Sequence, residues 1–308
     1  MEMDIVKSIN LSKDYKKFRA LNKVNITVKQ GEIYGLVGDN GAGKTTFLKL
    51  LAGQISASEG SFSLFGKESN AGKAEARSRI GVMIEETGFY PNMTIAQNLE
   101  YYRRIKAVAG KEAVEEALSL TGLMPYSKKK CKAMSMGMKQ RLGLAIALLG
   151  KPEFLILDEP INGLDPSGIV EVRNLLLKLN KERNTTILLS SHILSELEQI
   201  ATVYGFLHKG NLVEQITVEQ LKENCADFIE IKVGDAARFS VLLERKLGHT
   251  NYSVLPDNSI HIFEPGEQIE RYSNLAAEEG LPVLGLVRRK KSLEEYYADV
   301  KRRGMELC

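Results

Sequence analysis

Several features that would give a quick identity are scarce in this chain. Its 308 residues carry 42 basic and 39 acidic side chains, a net charge of +3. So small an excess points to no nucleic-acid or anionic-membrane partner. Three cysteines, Cys131, Cys225 and Cys308, stand far apart without C-x-x-C spacing. That excludes a zinc ribbon or disulfide framework and fits reduced thiols in a cytosolic protein. His192, His208, His249 and His261 form no metal-ligand pattern either. The acidic start Met1-Glu2-Met3-Asp4 has no apolar region behind it, so no secretory signal is expected. The longest apolar runs, such as 144–149, fall far short of the roughly 20 residues that span a bilayer. If the protein works at a membrane, another chain is expected to supply the spanning part.

What is present begins with Gly38-Asp39-Asn40-Gly41-Ala42-Gly43-Lys44-Thr45-Thr46, a full match to G-x-x-x-x-G-K-[ST]. An apolar run at 33–37 reads as a buried strand before it, and 47–51 as a helix after it. The glycines let the backbone N–H groups curl inward around a nucleotide β-phosphate, helped by the helix N-terminus. Lys44 supplies a positive charge for the β- and γ-phosphates, and Thr45 a hydroxyl for magnesium.

Upstream, residues 4–11 and 24–28 read as strands, with Tyr15 in a loop between them. It is either a stacking partner for an adenine ring or a half-buried loop residue. Downstream, 80–84 reads as a strand ending on Glu85, followed by a loop at 87–91. From 94 to 150 the pattern is helical, with apolar residues at i, i+3, i+4 in 95–105, 112–120 and 139–149. Within it, Ser135-Met136-Gly137 precedes a helix and offers a second phosphate-binding surface or an ordinary N-cap. Phe154-Leu155-Ile156-Leu157-Asp158-Glu159 reads as a buried strand delivering two acids. Asp158 suits the magnesium shell, and Glu159 is placed to polarise the attacking water. Asn162-Gly163-Leu164-Asp165-Pro166 makes a turn, 170–183 a helix, and 186–189 a strand leading to Ser190-Ser191-His192. At the carboxyl edge of such a sheet His192 can donate to a γ-phosphate. A hairpin at 203–215 closes the pattern.

In this order the motifs resemble the ATP-binding subunit of ABC transporters, over about residues 4–215. The resemblance implies a P-loop NTPase cassette of α/β class with a helical subdomain at about 86–150, and ATP and Mg2+ as ligands. Gly38, Asn40, Gly41, Gly43, Lys44, Thr45 and Thr46 would be the Walker A loop and Asp158 the Walker B acid. Glu159 would be the catalytic glutamate, Asp165 the D-loop acid, His192 the switch histidine and Tyr15 the adenine-stacking aromatic. The family works as a head-to-tail pair, so Ser135 and Gly137 of one subunit would close over ATP held by Lys44 of the other. That implies a homodimer, or pairing with a paralogous cassette, and an integral membrane permease as partner. The place implied is cytoplasmic, peripheral on the inner face of the membrane.

Two departures narrow the likeness. The usual Leu-Ser-Gly-Gly-Gln signature is replaced by Met134-Ser135-Met136-Gly137-Met138, so position 136 must adopt φ < 0 or accept strain. Glu85 stands where a glutamine is usual, and it can approach magnesium more strongly than an amide. Both changes are similar to those of the bacitracin and lantibiotic resistance subgroup, which implies ATP-driven export of a peptide antibiotic. A solvated loop acid at Glu85, an exporter of unrelated substrate, and a soluble ABC ATPase on ribosomes or DNA are the alternatives. The last usually has two cassettes or a long coiled coil, and no sustained heptad run occurs here.

From 227 to 308, beyond a linker at 216–226, the nucleotide motifs stop. Strand, helix, hairpin, helix and strand follow in β-α-β-β-α-β order, then a helix at 292–301. This suggests a small α+β, ferredoxin-like accessory domain without a catalytic cluster, acting on the dimer or its regulation.

Overall fold

Apolar β-branched and leucine-rich runs flanked by turns dictate the central layer. In the computed structural model, which describes residues 3–85, 88–225, 227–263, 268–290 and 292–306, these runs become parallel strands buried on both faces. The chain divides into two compact units. One holds the residues up to Val218 together with the C-terminal turns from Val300, and the other is Glu219–Asp299. The last turns thus belong with the nucleotide-binding part, not with the accessory domain expected over 227–308.

The first unit opens with an antiparallel layer. Strands β1 (Asp4–Tyr15), β2 (Phe18–Val24) and β3 (Thr27–Lys29) run in order β2-β1-β3, and β5 (Glu59–Leu64) also pairs with β1. Tyr15 is therefore the last residue of a strand, opposite Phe18, and not part of a loop between strands. Between these elements come β4 (Ile33–Val37) and α1 (Lys44–Ala52). Behind them lie α2 (Asn70–Arg77), β6 (Ile80–Met83), α3 (Ile95–Ile105), α4 (Glu112–Leu120) and α5 (Met136–Leu148). Strand β7 (Phe154–Asp158), α6 (Pro166–Arg183), β8 (Thr186–Ser191), α7 (Leu194–Leu197), β9 (Val203–His208), β10 (Asn211–Thr217) and α8 (Val218–Asn224) follow. The main sheet has six strands in order β10-β9-β4-β8-β7-β6, parallel except for β10.

The helical subdomain has its own core, in which Ile95 and Leu99 of α3 meet Val114 and Leu118 of α4 and Leu142 and Ile146 of α5. Thr94 starts α3 with a capping box to Gln97, so both of its first donors are satisfied locally. The second half of α5, Leu142 to Leu148, is buried on every side. It lies against β6 so closely that a Cβ on Gly81 would stand 2.3 Å from the Ala147 carbonyl oxygen. Cys131 sits in this subdomain as a buried free thiol, accepting from Asn98 Nδ2 at 3.1 Å, and burial raises its pKa. Among the described residues Cys225 is likewise in no disulfide; Cys308, and positions 86–87 where the helical region and the loop after Glu85 were expected to begin, lie outside the described residues.

The second unit contains β11 (Asp227–Val233), α9 (Ala236–Leu242), β12 (Tyr252–Val254), β13 (Ser259–Ile262), α10 (Glu270–Glu278) and β14 (Val283–Lys290). Helix α11 (Leu293–Glu306) begins in it. The strands are antiparallel in order β12-β13-β11-β14, the arrangement of a split βαβ sandwich. Ile229, Ile231 and Val233 alternate toward Phe239 of α9 and Tyr272 of α10, which gives this unit its core.

Candidate functional site

The carboxyl ends of β4, β7 and β8 bring three segments together. Register does much of the work, because Asp158 lies directly opposite Ser190, and Val37 opposite Ser191. The loop after β4 turns into α1 through Gly43, whose φ is 107° and whose Cβ, if present, would stand 2.6 Å from the Ala20 carbonyl oxygen. Only glycine fits there. The turn exposes the first N–H groups of α1, the donors that a helix leaves unpaired.

Lys44 is buried, and its Nζ donates to the Gly38 carbonyl oxygen at 2.6 Å and to that of Asp39 at 3.4 Å. Glu159 Oε1 lies 3.6 Å from the same ammonium. Thr45 Oγ1 donates to Asp158 Oδ2 at 2.8 Å, and Ser190 Oγ to Asp158 Oδ1 at 2.6 Å. Glu159 Oε2 reaches His192 Nδ1 at 2.7 Å. The Glu159 backbone sits at φ 50°, left-handed for a non-glycine residue. It is held there by its own N–H to Ser190 Oγ at 3.0 Å, and by Gln140 Nε2 to its carbonyl oxygen at 2.9 Å. Backbone of this kind costs about 1–3 kcal/mol and persists where its surroundings fix it. Here two side-chain contacts do so.

A cleft of about 300 Å³ lies over these groups, walled by Tyr15, Phe18, Asn40, Lys44, Thr45 and Glu159 among others. Tyr15 and Phe18 stand at its rim, 42% and 62% exposed, and Lys13 Nζ lies 5.2 Å from the Tyr15 ring centroid. Cationic floor, N–H-lined turn and aromatic rim suit a nucleoside triphosphate.

Thr45 and Asp158 offer a hydroxyl and a carboxylate side by side. That donor set suits Mg2+, which keeps one or two protein ligands and takes the rest from water and phosphates. Among the described residues no group of three His, Cys, Asp or Glu forms a protein-only metal cage. Glu85, expected to join the metal ligands, instead forms an ion pair with Lys49 of α1 at 2.5 Å, with its backbone at φ 56°. The physical reason is proximity: the turn after β6 runs beside α1, and a lysine ammonium there captures the carboxylate.

Ser135 and Gly137 are not among the walls of the cleft. Ser135 is exposed and caps α5, its Oγ accepting from Met138 N at 3.3 Å. Met136 takes the first helical position with φ outside the positive region, so of the two expected alternatives the chain adopts the unstrained one. Its side chain is 64% exposed and lies over Gly163. Asp165 caps α6, where the Ser167 hydroxyl and the Gly168 N–H hold its carboxyl below the usual range. Phe18, Gln140, Ser190 and Lys49 were missed by sequence reasoning. Only Ser190 had a signal, as a polar residue ending the strand that leads to His192.

The family model described as ABC transporter matches residues 21–162, and one described as "AAA domain, putative AbiEii toxin, Type IV TA system" matches 132–198. The bacitracin transport ATP-binding protein BcrA of Bacillus licheniformis is 42% identical over 293 residues, 95% of this chain and 96% of that protein. Its namesake in Enterococcus faecalis is 39% identical over 96% and 95%. The lantibiotic transport ATP-binding protein SrtF of Streptococcus pyogenes is 41% identical over 209 residues, 68% of this chain and 89% of that protein. Among solved structures, the dimeric ATP-binding cassette MJ0796 bound to ADP and Pi is similar with a TM-score of 0.65 and 24% identity, over 69% of this chain and 98% of that one. An ATP-binding subunit of an ABC transporter has a TM-score of 0.64 at 26% identity, over 71% and 92%.

Proposed function

Because the chain belongs to the ATP-binding proteins of ABC transporters and hydrolyses ATP to power a membrane permease, we propose that it drives export of a peptide antibiotic of the bacitracin or lantibiotic kind. One observation carries the substrate class. The likeness to the bacitracin transport proteins spans 293 residues, so it runs past Val218 through most of the second unit. A likeness resting on the nucleotide motifs alone would stop at the first.

ATP lies with its base at Tyr15 and its phosphates over the 38–46 turn and Lys44. Thr45 and Asp158 would hold Mg2+, which would neutralise phosphate charge there. Glu159 accepts a proton from water as the water oxygen bonds to the γ-phosphorus and the bond to the β–γ bridging oxygen breaks. Ser190 and Gln140 hold the two acids in place. Two copies pair head to tail, Ser135 and Gly137 of each closing over the other's ATP, a reading supported by the exposure of Ser135 away from its own cleft. No helix of the described residues is long and apolar enough to cross a membrane, which fits a subunit held at the cytoplasmic face by its permease.

The test is co-expression with a candidate permease, any multi-span membrane protein that a neighbouring reading frame encodes. Co-purification of the two, with raised tolerance to bacitracin that Glu159→Gln abolishes, supports the reading. A captured permease without any change of tolerance to bacitracin or lantibiotics overturns the substrate class. Recovery with ribosomes or DNA instead overturns the transport assignment.

A further inference from the structure

The phosphate turn contains a carboxylate that its ligand should dislike. Asp39 walls the nucleotide cleft, and a negative charge at the mouth of a polyphosphate site repels the ligand. In this structure that charge is met by Lys301, whose Nζ lies 2.6 Å from Asp39 Oδ2. Lys301 is on the last turns of α11, which belong to the first unit. Two further contacts seat the same turns. Val300 is fully buried, and Arg303 Nη2 reaches Glu214 Oε2 of β10 at 3.0 Å. A residue more than 250 positions after the turn is thus held at the entrance of the cleft by anchors on both sides.

We propose that Lys301 is a nucleotide-affinity residue: it cancels the Asp39 charge beside the triphosphate, so that the C-terminal end of the chain sets how tightly the 38–46 turn holds ATP and ADP. The inference rests on the nucleotide site described above and adds to it a group far outside the cassette motifs. Its sign is fixed by charge. Removing Lys301 takes a cation away from Asp39 beside the phosphates, and removing Asp39 as well takes away the charge that this pairing offsets.

The experiment is equilibrium binding of Mg-ATP and Mg-ADP to the full chain and to Lys301→Ala, Asp39→Asn and the double variant. Lys301→Ala is expected to weaken both nucleotides about three- to tenfold at low ionic strength, the loss shrinking in 0.5 M salt as screening sets in. In the Asp39→Asn background the same change is expected to have a clearly smaller effect, which is the non-additivity that a direct pair produces. The charge exchange Asp39→Lys with Lys301→Asp should restore affinity and serves if a single variant folds poorly. Unchanged binding in Lys301→Ala, or an equal loss with and without Asp39, overturns the proposal. A parent chain that binds neither nucleotide would instead overturn the nucleotide site itself.

Discussion

Glu159 reaches Lys44 and His192 at once, Oε2 lying 2.7 Å from His192 Nδ1 and Oε1 3.6 Å from Lys44 Nζ. A neutral imidazole that donates from Nδ1 to Glu159 keeps only an acceptor at Nε2. To donate to a γ-phosphate, as the sequence suggested, His192 must be cationic or let go of Glu159. The two roles exclude each other in the neutral ring, so a His192 that does both carries a second proton, and one that stays neutral gives up the contact with Glu159.

Glu159→Gln keeps the shape and removes the base. Hydrolysis is expected to fall by about 10²- to 10⁴-fold, the usual worth of a positioned proton acceptor. ATP binding should persist, because Lys44 and the turn that hold the phosphates are untouched. Phosphate release and equilibrium binding measure the two separately, and size-exclusion chromatography with ATP should show a trapped dimer. Residual hydrolysis near the parent rate would remove Glu159 from the reaction.

At the rim, Tyr15→Ala should weaken ATP by about 1–3 kcal/mol, the contribution of one base stacked on an aromatic ring. Phe18→Ala tests the other ring of the rim, which is 62% exposed and so also has surface that a base can cover. Stacking tolerates any base, so GTP should lose as much as ATP in the Tyr15 variant. Titration of each variant with both nucleotides decides it, and a Tyr15 variant that binds like the parent would leave the base without its platform.

Some elements whose signals are local were legible in full. The limits expected for β4, α3 and α4 are those observed, because a closed apolar run, a Thr94–Gln97 cap and an i, i+3, i+4 stripe each act within a few residues. Helix α6 starts four residues before the expected 170, although Asp165 at the cap and Pro166 at the first position carried the signal. The β1–β2 hairpin was not legible, because its end is polar and is held across strands, Arg19 bonding Asp14 at 2.8 Å and Glu59 at 3.0 Å. The Ser190–Asp158 bond needed strand order, which periodicity does not give. Lys49 with Glu85 and Lys301 with Asp39 join residues that only the tertiary fold brings together.

Glu100 on α3 gives a pH test of the helical subdomain. Hydrogen bonds from Arg103, and then from Arg104, draw its carboxyl from 4.5 down to about 2. A carboxyl lowered on folding contributes stability that is present above the unfolded value and is lost as pH falls through the folded one. The melting temperature of Glu100→Gln should therefore lie slightly below the parent at pH 7, with the gap closing between about pH 4.5 and 2. A gap of constant size down to pH 2 would show that the pair does not act through charge.

The last prediction concerns coupling to the permease. Glu85 sits at the end of β6 with a left-handed backbone, paired with Lys49 of the helix that begins at Lys44. It also walls a second hollow of about 360 Å³, shared with Asp158, Glu159 and Met136. The pair thus ties the helix under the phosphates to the turn after β6, and either partner alone should be enough to break the tie. Glu85→Gln and Lys49→Met should each leave ATP affinity near the parent value, since neither group walls the nucleotide cleft. Both should shift hydrolysis in the presence of the permease in the same direction, and the double variant should shift it no further than either single change. Hydrolysis measured on membrane vesicles carrying the complex, beside the isolated subunit, reads this directly. Additive shifts would mean that Glu85 acts through another contact, and no shift in either variant would leave the ion pair an ordinary surface bridge.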